Sequence, residues 1–256
     1  MTNKYFLKMS AAAFSVLFLL GVSVNAQAFG LGSFTGGGDS GSSVDTSSIV
    51  KTSKKMAKNF NLAMSTINYA QAEALEAFGM ADDAEKARVA ANLWKNGISD
   101  EEVKDKEVGE TKARDEKVAK FSKNSDKMTG KARKHLAKSA ATYAGASYAG
   151  VRMVKDITNW GKSAKDTLTS LKKDPMKLAS FTNDIEPGMY VISKLPDLSS
   201  QWVSTSSTLI AYAKINGDDV EMKQDKTIVI ICFILTSIVS EHSLYTLNLK
   251  TYLNQS

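Results

Sequence analysis

The chain contains few residues of the kinds that carry out catalysis. Among 256 residues there are two histidines, His135 and His242, and one cysteine, Cys232. Neither histidine has a Cys, Asp or Glu partner at the spacing of a metal site. The metalloprotease motif HExxH, the phosphate-binding P-loop and the Rossmann fingerprint are also missing from the sequence. The sequence therefore predicts a protein that is not an enzyme and that needs neither a metal nor a cofactor.

Two clusters of acidic residues have the composition of paired catalytic carboxylates. They lie at residues 82–85 and 100–102. Both stand where the sequence predicts the start of a helix, and the helix dipole stabilises negative charge at that end. We therefore interpret both clusters as helix-start residues rather than as a general acid and base.

The segment GDSGS, at residues 38–42, is similar to the nucleophile motif of trypsin-like serine proteases over five residues only. No histidine precedes it, and no strand-rich sequence surrounds it. It lies within residues 29–48, where Gly and Ser dominate. That composition is typical of a flexible linker. The linker interpretation is the one we adopt.

The first 28 residues have the order of a secretory signal peptide. Lys4 and Lys8 precede an apolar run over residues 11–24, and Ala26 and Ala28 follow at A-x-A spacing. This order predicts cleavage after Ala28 and export to the periplasm or the exterior. The alternative is an uncleaved membrane anchor.

Residues 49–219 predict an all-α domain, an elongated bundle of about five to six helices. Apolar residues recur at steps of three, four and seven, and the whole chain has only three prolines. We expect helix ends at Gly79, at Asn96-Gly97, near residues 124–126 or Gly130, and at Asn216-Gly217.

Other local signals predict where helices begin. A capping box at residues 99–102 predicts one helix start, and Asp174-Pro175 predicts another. Few apolar residues occur between Glu110 and Lys120, so we expect that portion to be solvated. Residues 186–188, Glu-Pro-Gly, predict a break, after which Leu195-Pro196-Asp197 would open a last helix.

The repeat YAGASYAG places small residues at helical spacing. Such residues let another backbone approach closely. Close packing inside the bundle is one interpretation, and a self-association face or a segment that inserts into lipid is the other. For insertion the segment is short, and Arg152 and Lys155 lie close by. The residues concerned are Ala141, Tyr143, Ala144, Gly145, Tyr148, Ala149 and Gly150.

Positive charge is concentrated in the middle of the chain. Residues 111–173 contain 16 basic and 5 acidic side chains, although the whole chain carries only +6. A solvated helix face is one interpretation, and contact with lipid headgroups or acidic cell-surface polymers is the other. The basic surface we predict consists of Lys123, Lys127, Lys131, Arg133, Lys134 and Lys138.

The C-terminal tail, residues 220–256, differs abruptly in composition. Residues 227–240 carry no charge, and half of them are Ile or Val. Fourteen residues rise about 21 Å as a helix, short of the roughly 30 Å hydrocarbon core. Three interpretations remain open. The tail is a core segment, a membrane-inserting element, or a foreign sequence that arose by frameshift.

These observations favour an exported, non-catalytic helical binding or scaffolding protein. We expect a protein partner or self-association, with an anionic membrane surface as a further candidate and no role for nucleic acid. The alternative is a membrane-active helical protein, such as a pore-former or membrane remodeller.

Overall fold

The computed structural model describes residues 46–124, 128 and 130–216, and all regular structure in them is helical. The prediction of an all-α bundle is confirmed. The predicted signal peptide, most of the Gly/Ser-rich segment and the apolar tail lie outside the described residues. The five helices are α1 (Thr46–Ala77), α2 (Ala81–Asn96), α3 (Glu101–Asn124), α4 (Gly130–Leu171) and α5 (Pro175–Ile215).

The core lies between α1, α4 and α5, with α2 packed on α1. The apolar stripe of α1 is buried along its length, and Phe60 meets Trp94 of α2 edge to face at 5.7 Å between ring centroids. Burying such side chains supplies most of the free energy that holds the helices together. The largest fully buried side chains are Phe60, Met64, Ile67, Leu75, Trp94, Leu136, Tyr143, Ile157, Leu168, Ile185, Leu195 and Trp202.

The predicted helix ends are confirmed where local chemistry decides them. Gly79, Gly97 and Gly130 have φ angles of 75°, 85° and 58°, a left-handed region that favours glycine. Asp174 caps α5, since its side chain accepts from the backbone N–H of Lys177 at 3.1 Å.

The predicted capping box at residues 99–102 is wrong in its register. Asp100, not Ser99, accepts from the backbone N–H of Val103, at 3.0 Å. An aspartate caps as well as a serine and also adds negative charge at the helix N-terminus. Helix α3 therefore begins at Glu101.

The predicted break at residues 186–188 is wrong, as is the helix start at Pro196. Helix α5 continues from Pro175 to Ile215 with Pro187 and Pro196 inside it. At Pro187, which has no N–H to donate, Ser53 of α1 supplies side-chain hydrogen bonds to the backbone of α5. Packing against α1 and α4 thus overrides the local helix-breaking signal.

Candidate functional site

The segment from Glu110 to Lys120 is not simply solvated, which corrects the prediction made from its few apolar residues. Thr111 and Asp115 are fully buried, and Arg114 is 8% exposed. These polar residues lie on the inner face of α3, where they meet polar side chains of α1 and α4. Counting apolar residues misses this face because its buried side chains are mostly polar and bond to polar side chains of the neighbouring helices.

Asp115 lies at the centre of this buried polar cluster. Its Oδ1 accepts from Nε2 of Gln71 at 2.8 Å and from the hydroxyl of Tyr143. Burial raises the pKa of Asp115 to about 7, and the hydrogen bonds from Tyr143 and Gln71 offset only part of this effect. Among the described residues, its Oδ2 has no hydrogen-bond partner.

Arg114 joins α3 to α1 on the other side of the cluster. Its Nε donates to Oε1 of Gln71 at 3.0 Å, and its Nη2 donates to Oδ1 of Asn68 at 2.7 Å. Glu107 Oε2 lies 3.7 Å from Nη2. Burial, together with the neighbouring charge of Glu110, raises the pKa of Glu107. Opposite charges are thus paired inside the interface between helices.

The hydrogen bonds of this buried polar cluster join helices to one another. Asp115 and Tyr143 are completely buried, so a substrate would have no access to either group in this conformation. Of the six buried side chains in α3, Val108 and Val118 alone are apolar. In the part of the chain that the structure describes, no group of three or more His, Cys, Asp and Glu could hold a metal ion.

A second cluster links α1 to α4 nearer the surface. Glu73 Oε2 lies 2.6 Å from Nδ1 of His135, and its Oε1 accepts from Nζ of Lys138 at 2.8 Å. Burial acts to raise the pKa of Glu73, but the hydrogen bonds from Lys138, His135 and Tyr69 outweigh it and lower the pKa to about 2. Nζ of Lys138 also lies 4.7 Å from the centroid of the Tyr69 ring.

The small-residue repeat is divided between the inside and the outside of α4. Tyr143, Ala149 and Gly150 are buried. A Cβ added at Gly150 would lie 3.1 Å from the ring of Trp202 in α5, so the helices approach closely there. The remaining members are half-buried, namely Ala141, Ala144, Gly145 and Tyr148, and of these Ala144 packs against the core.

The predicted basic residues also occupy different environments. Lys131 and Lys134 are exposed at the start of α4, and Lys123 is exposed at the end of α3. Arg133 is half-buried, and Lys138 is exposed while bound to Glu73. Lys127 lies outside the described residues.

The positive charge belongs to two helices. Helix α4 has eight basic and two acidic residues, and α1 has four and two. Each of the other three helices is neutral, with three of each sign in α2, seven in α3 and three in α5. The two positive helices pack against each other, since Ser139 donates to the carbonyl of Ala70 at 2.7 Å.

The outer sides of these two helices form one surface, here named the α1–α4 face. Its members recur at steps of three, four or seven, so each set lies along one side of its helix. All of them are exposed or half-buried. They are Lys51, Lys55, Lys58, Leu62 and Tyr69 of α1, and Lys131, Lys134, Lys138, Ala141, Gly145, Tyr148, Arg152 and Lys155 of α4.

Contacts between the two helices show that the two sets lie side by side. Lys138 of α4 contacts the ring of Tyr69 in α1, and Nε1 of Trp160 in α4 donates to the carbonyl of Ile49 in α1 at 2.9 Å. The lysines of α1 are not among the basic residues that were predicted to form the surface. A signal was present, because residues 46–72 contain four lysines and no acidic residue.

Comparison of the chain with protein-family models, with curated proteins and with solved structures finds no match. Within the described residues, no helix is both long and apolar enough to cross a bilayer.

Proposed function

We propose that this protein is an exported, non-catalytic helical binding or scaffolding protein whose binding surface is the α1–α4 face. The observation that carries the proposal is the charge distribution. Helices α1 and α4 together hold a net charge of +8, from +2 and +6, while the other three helices are neutral. Eight of the twelve basic residues of these two helices lie on the face, and such a positive surface attracts an anionic partner and sets its orientation.

The shape of the face supports a scaffolding role. At 1.5 Å per residue, the 32 residues of α1 span about 48 Å and the 42 residues of α4 span about 63 Å. Their inner sides are anchored in the apolar core. A long, firmly held surface suits an extended partner better than a small molecule, which binds in a concave site.

The non-catalytic part of the proposal rests on the hydrogen-bond partners of the buried polar and titratable groups. Asp115 and Tyr143 bind each other, Arg114 binds Asn68 and Gln71, and Glu73 binds residues of α4. These contacts join helices to one another. Groups that share no opening with a substrate do not assemble an active site. Export is proposed from the first 28 residues of the sequence.

A membrane-active protein is the second candidate. The positive α1–α4 face and the uncharged segment 227–240 favour it. That segment lies outside the described residues, so this candidate rests on composition and on the face alone.

Site-specific photo-crosslinking in the producing cell tests the binding proposal. A photoreactive residue at position 58 or 134 stands on the face, and one at position 86 or 120 stands on an exposed side of α2 or α3. We expect adducts, to protein or to lipid, from positions 58 and 134 and none from the two controls. Adducts that form equally from all four positions, or from none, would contradict the proposal.

A further inference from the structure

We infer that the α1–α4 face binds peripherally to the surface of an anionic lipid bilayer. This inference rests on the proposed function and names the partner of the same surface. Three features of the face carry it: the spread of its charges, its exposed aromatic and apolar groups, and the side-by-side arrangement of its two helices.

The charges are spread along the face rather than gathered at one point. The face carries eight basic residues, three on α1 and five on α4, and one of them, Lys138, is bound to the carboxylate of Glu73. From Lys131 to Lys155 the helix rises about 36 Å. A single phosphate or carboxylate needs a convergent cluster of donors, whereas a lipid surface presents many separate headgroups. The spread therefore favours an extended anionic surface.

Exposed apolar and aromatic groups stand between the basic ends of the face. Leu62 is 37% exposed and Tyr69 is 39% exposed, and both lie on the outer side of α1. Tyr148 is half-buried on α4, with the guanidinium of Arg152 5.8 Å from its ring centroid. Tyrosine rings settle at the level of lipid headgroups, and lysine stems lie along apolar surface with their charge in water. This composition fits a lipid interface better than a purely polar polymer.

The two helices run side by side in opposite directions and form a platform. Ser139 bonds to the carbonyl of Ala70, and Trp160 Nε1 donates to the carbonyl of Ile49 at 2.9 Å. The α4 residue with the higher number, Trp160, contacts the α1 residue with the lower number, Ile49, so the two helices are antiparallel. The lysines of α1 therefore lie beside the Arg152 end of α4, and Tyr69 lies beside Lys138. Both ends of the platform carry basic groups.

Vesicle flotation with the protein purified from its producing cell tests the inference. The probes are vesicles of phosphatidylcholine alone and vesicles of phosphatidylcholine with phosphatidylglycerol at about two to one. The test variant combines Lys51→Gln, Lys58→Gln and Lys134→Gln. The control variant combines Lys86→Gln, Lys95→Gln and Lys120→Gln, which removes the same charge from exposed positions on α2 and α3.

We expect the protein to float with the phosphatidylglycerol vesicles only, and to be released by salt. Each basic group near an anionic surface contributes a factor of about five, so the test variant should bind roughly a hundredfold more weakly. The control variant should bind as the wild type does. Unfolding curves of both variants should match the wild type, since all six lysines are exposed.

Two results would overturn the lipid assignment. One is equal flotation of the test and control variants, and the other is wild-type binding that persists on phosphatidylcholine alone. If the face instead binds soluble polyglutamate and not vesicles, the partner is an acidic polymer. The binding function would then stand and the lipid inference would fail. Failure of the photo-crosslinking described above would remove both.

Discussion

The hydroxyl of Ser53 in α1 accepts a hydrogen bond from the backbone N–H of Gly188 in α5, at 2.9 Å, across 135 positions of sequence. The same hydroxyl donates to the carbonyl of Ile185 at 3.2 Å. Both bonds are buried and lie at Pro187, which cannot donate to the helical ladder. One serine therefore ties α1 to α5 at the two residues on either side of the Glu186-Pro187 pair.

Replacing Ser53 by alanine should destabilise the bundle by about 1–3 kcal/mol, because a buried N–H and a buried carbonyl would lose their partner. Urea unfolding followed by circular dichroism measures the change. Ser163→Ala is the control, since Ser163 is exposed and its 3.4 Å bond to Asn159 is long. A Ser53 variant that costs no more than the Ser163 variant would contradict this role.

Replacing Gly188 by alanine should be destabilising by about 1–3 kcal/mol or more, as expected of overpacking. The added Cβ would lie 2.6 Å from Cη2 of Trp160 and 2.8 Å from Oγ of Ser53. Gly109→Ala is the matched control, because nothing lies within 4 Å of its added Cβ in α3. That change should instead stabilise by about 1 kcal/mol. A midpoint temperature of unfolding that shifts in the same direction for both variants would contradict the close packing around Gly188.

Asp115→Asn should remove a pH dependence of stability. The carboxyl pKa is raised from 3.8 to about 7 in the folded protein, so the folded state holds a proton that the unfolded state has released. Its stability contribution is full below the unfolded pKa of 3.8 and is lost as pH rises to about 7. Relative to Asp115→Asn, the wild type should lose about 3 kcal/mol of unfolding free energy between about pH 5 and pH 8.

Chemical denaturation of both proteins across this range provides the measurement for Asp115. Burial also raises the pKa of Glu107, so both proteins retain the part of the slope that comes from that residue. Glu116→Gln, at an exposed neighbouring position, should leave the wild-type profile nearly unchanged. Parallel profiles for the wild type and Asp115→Asn would show that Asp115 is ionised in the fold.

Glu73→Gln should weaken the junction of α1 and α4 by about 1–3 kcal/mol near neutral pH, since charged hydrogen bonds to Lys138 and His135 are lost. The folded pKa of Glu73 is lowered from 4.5 to about 2. Its contribution is therefore present above 4.5 and is lost as the pH falls toward 2. Unfolding of the two proteins should converge under acid. A constant difference down to that pH would contradict the ion pair.

Local sequence signals predict the ends of the helices well. Gly79, Gly97 and Asp174 act through their own backbone geometry or side chain, which needs no distant partner. Pro187 fails as a helix-breaking signal because α5 is held there by packing and by Ser53, a residue remote in sequence that bonds to Gly188 and Ile185. Tertiary contacts of this kind have no local pattern.

The sequence predicts only part of the candidate site, for a related reason. The charge of residues 111–173 is visible, but α3 balances its own seven basic residues with seven acids. The surplus on α4 becomes one surface only when α1 packs beside it, which periodicity does not specify. The buried cluster around Asp115 was missed because its members are polar and lie on three helices.

Lysine labelling in intact cells tests most directly whether the α1–α4 face is the binding surface. An amine-reactive reagent is applied to cells that produce the protein and to the purified protein, and mass spectrometry compares the lysines. We expect Lys51, Lys58, Lys131 and Lys134 to be protected in the cell, while Lys86, Lys95 and Lys120 react equally in both settings. Equal reactivity of all seven, or protection confined to α2 and α3, would contradict it.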